Sequence, residues 1–315
     1  MARYANKAAI LSKKESSYGV DPTPVAGTDA VLLRSIEVEP LVVEYAERKL
    51  IRPFFGNYED LPAKSLVRLT LEQEIAGFGT AGPATPTPGY DSLQLACGQA
   101  RTHSVGVSEI YKPITTLPDS ATIYFYDDGL LHKGLGARGN LEMVFPLNDI
   151  PFYRYTMMAL YGGITDVAVP SPTLTAYQRP LVVNQANTSG LNIHGLTTAR
   201  MKQLSINYNN QVEHRNLVGG AEEILITGRA PDGQIEIEGT TVATKDWWTL
   251  VRNATLGVFS VLHGTAVGNR VQIDGANVQL TGPGRGEDQG IIHLPLGLKF
   301  MPSAAGNDEV SITIT

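Results

Sequence analysis

The chain has 315 residues with a formal net charge of −6, a length that allows one large or two ordinary domains with a sizeable core. Hydrophobic residues make up 43% and charged residues 18%, a balance that excludes both a disordered acidic tail and a charged coiled coil. The acidic balance argues against a protein that grips nucleic acid through its phosphates, and the single cysteine excludes a disulfide framework within one chain.

Short strands are predicted along the whole chain. Segments of alternating apolar and polar residues lie between turns rich in the 32 glycines and 19 prolines. In chain order, the clearest segments are residues 35–39, 66–75, 122–126, 233–238, 271–274 and 310–314. Because a period of two gives one packed and one solvated face, the pattern predicts a mainly β protein.

Only two helices are predicted. The first covers residues 90–100, with Asp91 or Ser92 as the capping residue. The second covers residues 245–254, with Thr244 as its cap. Both segments place apolar residues on one face, so each helix is expected to pack against a sheet.

The distribution of turns and apolar residues predicts the domain organisation. Residues 1–29 are polar and interrupted by glycine and proline, and we interpret them as an arm with little core of its own. The first domain is then residues 30–169, and residues 170–195 form a linker rich in proline and small polar residues. Residues 196–315 form the second domain, and residues 77–89 are expected to form a long loop.

The two halves share an order of parts that predicts an internal duplication. Residues 43–50 and 212–217 carry a loosely similar phrase at the start of each half. Each half continues with an alternating strand that has glutamates on one face, then a short helix and several strands. The alternative is that β-domains often contain one helix after two strands.

Residues 134–139 match the G-x-G-x-x-G pattern of dinucleotide-binding loops. That pattern requires a strand before it and a helix after it. Here residues 140–146 alternate like a strand and end at a proline, and no acidic residue follows at the usual spacing. We therefore interpret the motif as a hairpin loop between strands near Tyr124 and Met143, and we expect no cofactor.

Other chemical motifs are weak. The six histidines are scattered, and Cys97 falls on the apolar side of a predicted helix, where a buried structural thiol is expected. The sequence Asp127-Asp128-Gly129 is typical of a hairpin turn and lacks the rest of a calcium loop. We expect no catalytic residue and no metal site. No apolar run is long enough for a membrane helix, and we expect neither a span nor a secretory signal.

Glutamates recur on the predicted strands. The set is Glu37, Glu39, Glu72, Glu74, Glu236 and Glu238. Such carboxylates could form an acid–base pair in a pocket, a solvated sheet face, or a surface whose charge matters. Basic residues lie near the first four of them, namely Arg48, Lys49, Arg52 and Arg68. These side chains could pair with carboxylates of a neighbouring subunit.

A set of short segments, in order over nearly the whole chain, carries a family resemblance. The set comprises residues 7–15, 17–24, 47–53, 56–57, 95–98, 124–139, 160–163, 215–219 and 226–229. In this order it resembles the tail tube proteins of long-tailed, siphovirus-like bacteriophages. The adjacent Phe54 and Phe55 and the long loop at residues 77–89 depart from the pattern.

The resemblance implies both a fold and a role. It implies two tandem β-sandwich domains, each with one short helix, that contribute strands to a β-barrel closed between subunits. The duplication fits a trimeric ring with pseudo-sixfold symmetry, stacked helically into a hollow tube that conducts the genome into the host cell. The implied partners are copies of the chain, tape measure, terminator and baseplate proteins, and phage DNA in transit without specific binding. The implied location is the virion tail, assembled in the host bacterial cytoplasm, and no enzyme activity is implied.

These implications assign positions to the charged residues. Because an acidic lumen repels phosphates, we expect the lumen-facing residues to come from Glu37, Glu39, Glu72, Glu74, Glu236 and Glu238. We expect Arg48, Lys49, Arg52 and Arg68 at contacts between subunits, the helices outside the barrel, and the N-terminal arm ordered only against the adjacent ring. The alternatives are another tail component, such as a terminator or baseplate protein, or a carbohydrate-binding or carbohydrate-cleaving β-sandwich. In the last case tyrosines and tryptophans would stack on sugars and glutamates would supply acid and base.

Overall fold

The computed structural model describes residues 3–4, 7–87 and 89–315. The predicted arm and the predicted loop at residues 77–89 therefore lie partly outside the described residues, at positions 1, 2, 5, 6 and 88. The strands of the first half are β1 (Ala8–Lys14), β2 (Ala30–Val31), β3 (Ser35–Ala46), β4 (Leu61–Glu74), β5 (Gln99–Ser104), β6 (Ser108–Pro113), β7 (Ala121–Asp127), β8 (Leu130–Pro146) and β9 (Phe152–Asp166). Those of the second half are β10 (Thr188–Ile193), β11 (Met201–Asn207), β12 (Gln211–Arg215), β13 (Glu223–Gly228), β14 (Asp232–Glu238), β15 (Leu256–His263), β16 (Val271–Thr281), β17 (Gly286–Asp288), β18 (Ile291–Met301) and β19 (Ser311–Ile314). The helices are α1 (Tyr90–Ala96) and α2 (Trp247–Arg252).

The mainly β prediction is confirmed. All six predicted segments correspond to strands, namely β3, β4, β7, β14, β16 and β19, with only the end residues Ile75 and Val310 outside them. In β4, Leu69 and Leu71 are buried while Thr70 and Glu72 are only partly buried. The period of two in the sequence therefore corresponds to a packed and a more open face of the folded strand.

Helix α1 ends earlier than predicted and begins without the predicted cap. Its N-cap is Gly89, at φ 81°, and no side chain caps it, so the assignment of Asp91 or Ser92 was wrong. Ser92 instead turns inward, where its hydroxyl lies 2.8 Å from that of Ser12 on β1. The helix cannot reach residue 100 because Gly98, at φ 75°, turns the chain into β5.

Helix α2 is capped by Asp246 rather than by the predicted Thr244. The Asp246 carboxylate accepts a hydrogen bond of 2.9 Å from the backbone N–H of Thr249, which satisfies one free donor of the first turn. Trp247 is fully buried and donates from Nε1 to the Thr240 hydroxyl at 2.8 Å, whereas Trp248 is half exposed. Of the two tryptophans, only Trp247 therefore packs in the core.

Eight antiparallel strands form one continuous sheet through both halves of the chain. Its order is β3-β4-β9-β8-β11-β14-β18-β16. The halves meet where Glu142–Pro146 of β8 pair with Gln203–Asn207 of β11. This pairing places the side chains of both halves on two shared faces.

The strand order occurs twice. The first half runs β3-β4-β9-β8-β7-β1 and the second runs β11-β14-β18-β16-β15-β10. The helix follows β4 in one half and β14 in the other. The register also repeats, because Ser35 lies opposite Glu72 as Gln203 lies opposite Glu236. This repetition supports the predicted duplication, while the residue boundaries of the two domains stay predictions.

One core and one hairpin bind the halves together. A single cluster of buried side chains includes Leu71 and Tyr155 from the first half and Ile235 and Phe259 from the second. The β5–β6 hairpin of the first half also extends the second, because β6 pairs with β19. Burial of apolar surface therefore also couples the two halves to each other.

The prediction of an arm without a core of its own was wrong for β1. Residues Ala8–Lys14 pair along their whole length with Ala121–Asp127 of β7, and Ile10 and Leu11 are buried. The strand carries no clear alternation because several consecutive residues are buried. Its partner lies more than a hundred residues away, so the local pattern gave no sign of the pairing.

The predicted linker contains a strand. Thr188–Ile193, near the end of residues 170–195, form β10 and pair with β15. This position repeats that of β1 beside β7, so the segment belongs to the sheet of the second half. Val183, earlier in the same segment, is also buried.

Candidate functional site

The six glutamates singled out in the sequence lie on one face of the eight-stranded sheet. In β4 and β14 they alternate with Leu71, Ile235 and Ile237, which are fully buried on the opposite face. Helix α1 packs on that buried face through Tyr90, whose ring meets that of Tyr153 edge to face. The core and this helix are therefore on one side of the sheet and the carboxylates are on the other. We call the second side the acidic face.

In the first half, Arg154 of β9 lies between two carboxylates of the acidic face. Its guanidinium is 3.0 Å from Glu72 on β4 and 2.7 Å from Glu142 on β8. Arg34 also approaches Glu72, at 3.5 Å. Partial burial acts to lower the pKa of Arg154, but the hydrogen bonds to Glu72 and Glu142 outweigh it and raise that pKa.

Lys202 plays the corresponding part in the second half. Its ammonium lies 3.2 Å from Glu236 on β14 and 3.2 Å from Asp288 on β17. The hydrogen bonds to Asp288 and Glu236 raise the pKa of Lys202. At the end of β14, Arg200 lies 3.0 Å from Glu238.

Most carboxylates of the acidic face are therefore paired. Glu39 adds a further contact, 3.7 Å from Arg68 on the neighbouring strand. Among the described residues, Glu37 and Glu74 alone of the six make no ion pair. The face therefore carries ion-paired acidic and basic side chains, and not the row of unpaired carboxylates that the glutamate positions suggested.

The structure separates the four basic residues predicted at subunit contacts. Arg48, Lys49 and Arg52 lie in the loop between β3 and β4, whereas Arg68 lies on the acidic face opposite Glu39. Arg48 contacts Glu59, and Lys49 lies 3.2 Å from Glu47. Arg52 stacks on the ring of Tyr58, with 4.1 Å from its guanidinium carbon to the ring centre. A subunit contact for these residues stays a prediction.

The loop between β3 and β4 also exposes apolar side chains. Ile51 and Phe55 are fully exposed, and Phe54 is largely exposed beside Arg52. Exposed apolar groups of this size on one loop are typical of an interaction surface. The paired phenylalanines, which departed from the family pattern, are thus part of the most exposed apolar segment of the first half.

The sheet has two open edges, one at β3 and one at β17, the short strand that follows β16 and lies beside the start of β18. Within the described ranges, β3 pairs with β4 alone and β17 pairs with β18 alone. Ile36 and Val38 on β3 are only half buried, whereas Leu204 and Ile206 at the same positions of β11 are fully buried. The first pair lacks the neighbouring strand that β8 supplies to the second.

The G-x-G-x-x-G motif lies inside strand β8 and not in a hairpin loop, so that interpretation was wrong. The hairpin turn is instead Asp128-Gly129, between β7 and β8, as the Asp-Asp-Gly sequence predicted. A side chain at Gly136, at φ 58°, would lie 2.7 Å from the Tyr18 ring, and one at Gly139 would lie 2.6 Å from the carbonyl of Thr156. These glycines allow close packing within the sheet and do not form a phosphate loop.

Tyr18 links the two halves through this motif. Its ring lies 4.7 Å from the guanidinium carbon of Arg138, and its hydroxyl accepts a hydrogen bond from the backbone N–H of Ile224 on β13. Arg138 itself donates to the carbonyl oxygens of Ile224 and Pro118, each at 2.8 Å. The sequence analysis missed Tyr18, Arg138 and Arg154 because their partners lie on distant strands.

The remaining chemical groups are accounted for by the fold. Cys97 is buried just after α1, as predicted, and burial raises the pKa of its thiol well above the usual range. Asp127 contacts Arg3, and Asp128 lies 3.9 Å from Lys7, so both carboxylates of the turn have basic partners. No group of three or more metal-binding side chains that could hold an ion occurs in the described part of the chain. The same part has no helix both long and apolar enough to cross a membrane.

Comparison with known families identifies the chain. A family model described as phage tail tube protein matches residues 5–302, which is nearly the whole sequence. A search of curated protein sequences gave no match. The chain therefore belongs to the phage tail tube protein family, and the resemblance found in the sequence is confirmed.

Proposed function

We propose that this member of the phage tail tube family is a structural subunit that assembles with copies of itself into stacked rings, forming a hollow tube. The observation that carries the proposal is a continuous eight-stranded sheet with two open edges and all six glutamates on one face. An open edge on a folded protein invites pairing with another chain, and closing a ring of such sheets removes every edge. The role is structural and involves no catalysis.

The ring in this proposal is a trimer with pseudo-sixfold symmetry. Each chain supplies two copies of the same strand order, joined side by side through β8 and β11. Three chains would therefore present six equivalent units around one barrel. The repeated register of β3 with β4 and of β11 with β14 supports this arrangement over a ring of single-unit subunits.

The acidic face would line the lumen. The core and α1 lie on the other side of the sheet and would therefore be outside the barrel. A lumen with more carboxylates than free cations repels the phosphates of DNA, so the genome passes without being held. Internal ion pairs keep most of its basic side chains occupied and so unavailable to DNA.

The partners follow from this role. The chain would contact tape measure, terminator and baseplate proteins of the tail, as well as DNA in transit during ejection into the host cell. Its location would be the virion tail of a long-tailed phage, after assembly in the host bacterial cytoplasm. The exposed loop between β3 and β4, with Arg52, Phe54 and Phe55, is the segment we assign to contacts between stacked rings.

Negative-stain electron microscopy over a range of protein concentrations tests the proposal. Stacked rings or hollow tubes are expected, and top views distinguish threefold from sixfold symmetry. Compact monomers at every concentration, also in the presence of purified tail-tip complexes that could start assembly, would contradict a tube-forming subunit.

A further inference from the structure

The pairing of β8 with β11 joins the two halves of one chain, and the same kind of pairing could join two chains. Gln203–Asn207 of β11 pair with Glu142–Pro146 of β8. Strand β3 occupies the position of β11 in the first half, and Ser35 corresponds to Gln203 through their shared register with Glu72 and Glu236. The open edge of β3 therefore has a known type of partner, which is an antiparallel strand in the position of β8.

The residues that correspond to this part of β8 lie in the second half. In the first half, Phe152 of β9 pairs with Val144 on β8 and with Glu74 on β4. In the second half, His293 of β18 pairs with Gly286 on β17 and with Glu238 on β14. Gly286 therefore occupies the position of Val144, and residues 284–288 occupy the position of Glu142–Pro146. This second segment is the other open edge of the same sheet.

We infer that Ser35–Glu39 of one copy pair with residues 284–288 of a second copy, with Glu37 opposite Gly286 and Ser35 opposite Asp288. The inference rests on the proposed function and specifies the partner and the register of the sheet that closes the ring. Pairing supplies the neighbouring strand that half-buried Ile36 and Val38 lack. A slip of one residue would reverse the faces of the joined strand, so the register is well defined.

The charges along the two edges support this pairing. Along the first edge the order is Arg34, which immediately precedes β3, then Glu37 and Glu39. In the antiparallel direction the other edge presents Asp288, Glu287 and then Arg285, which immediately precedes β17. The basic end of each edge thus lies beside the acidic end of the other. Arg34 and Asp288 both lie on the acidic face and would be neighbours across the join, whereas Arg285 and Glu287 lie on the other face.

Cysteine cross-linking of assembled protein tests the register. The variant E37C/G286C places the two thiols directly opposite each other across the proposed join, at a separation that a disulfide can span. A Cβ atom added at Gly286 would meet no atom closer than 3.7 Å, so the backbone has room for a side chain there, and native Cys97 is buried. After mild oxidation of tubes, we expect loss of the monomer and a covalent series that ends at three chains.

Two matched variants complete the test. E37C/E287C shifts one thiol to the other face of the sheet, and E37C/Q234C places it at the sheet centre. Neither should cross-link. Tubes that form without cross-linking of E37C/G286C, or that cross-link through E37C/E287C instead, would overturn the register while leaving the proposed function intact. Failure of the wild-type chain to assemble would overturn both.

Discussion

Glu72 of β4 and Glu236 of β14 occupy the same position in the two halves of the sheet. Glu72 lies opposite Ser35, and Glu236 lies opposite Gln203. Each carboxylate contacts the basic residue that precedes its partner, since Arg34 lies 3.5 Å from Glu72 and Lys202 lies 3.2 Å from Glu236. The repeated ion pair stabilises the pairing of β3 with β4 and of β11 with β14 on the acidic face.

Replacing Arg154 should destabilise the chain by leaving two carboxylates close together. Arg154→Met removes the bridge between Glu72 and Glu142, and because the side chain is 37% exposed we expect a loss of about 1 kcal/mol. Chemical denaturation measures the change. The matched control is Arg68→Met, which removes one longer and more exposed contact with Glu39 and should cost less. An equal loss in the two variants would contradict a bridging role for Arg154.

Gly136 should tolerate no side chain because Tyr18 lies against it. Gly136→Ala combines strain at φ 58° with a clash against the Tyr18 ring, and we expect a loss of about 1–3 kcal/mol beyond the strain alone. Gly163→Ala is the control, since Gly163 also has positive φ but nothing within 4 Å of an added carbon. Thermal or urea unfolding gives both values. In a double-mutant cycle, Tyr18→Ala should relieve part of the cost at Gly136 and none at Gly163.

The fold was predictable where local alternation sets it and not where distant strands meet. The period of two in residues 66–75 and 233–238 correctly places Glu72 and Glu236 away from the core. The same reasoning failed for β1, because its partner strand β7 lies more than a hundred residues later in the chain. Ion pairs such as Arg154 with Glu142 depend on strand register, which a single sequence does not specify.

Deleting residues 2–25 should unfold the protein. The deletion removes β1, exposes the edge of β7, and takes away Glu15, whose buried carboxylate accepts hydrogen bonds from Ser120, Thr122 and the N–H of Gly136. Circular dichroism and light scattering should show aggregation or loss of the cooperative transition. Deleting only residues 2–6 retains β1 and is the control. A folded monomer from the longer deletion would restore the view of this segment as an arm.

Stability should fall in mildly acidic solution because His263 is buried in its neutral form. Burial lowers the pKa of His263 from its ordinary value of 6.5, although the hydrogen bond to the carbonyl of Leu181 acts in the opposite direction. A depressed pKa in the folded state means that the unfolded chain binds the proton first. The free energy of unfolding is therefore retained above pH 6.5 and lost as the pH falls from there through the folded-state pKa.

Urea unfolding at several pH values between neutrality and mild acid measures this loss. In His263→Gln the amide can still donate to the Leu181 carbonyl but does not titrate. The variant should lose less stability than the wild type over the same pH range, even where it is less stable at neutral pH. Parallel pH profiles for the two proteins would exclude His263 as a contributor.

Adding cations to the acidic face should make assembled tubes hold DNA. Thr70 and Gln234 are neutral and occupy the same position in the two halves, opposite Glu37 and Ser205. The variant T70K/Q234K should retain short DNA inside tubes at low salt, because each ammonium that meets a phosphate releases counterions, and the retained DNA should decrease as salt rises. DNA that co-sediments with tubes and resists nuclease measures this fraction. The charge-reversed control T70E/Q234E should retain none, as should the wild type. Equal retention by all three proteins would mean that the acidic face does not line the lumen.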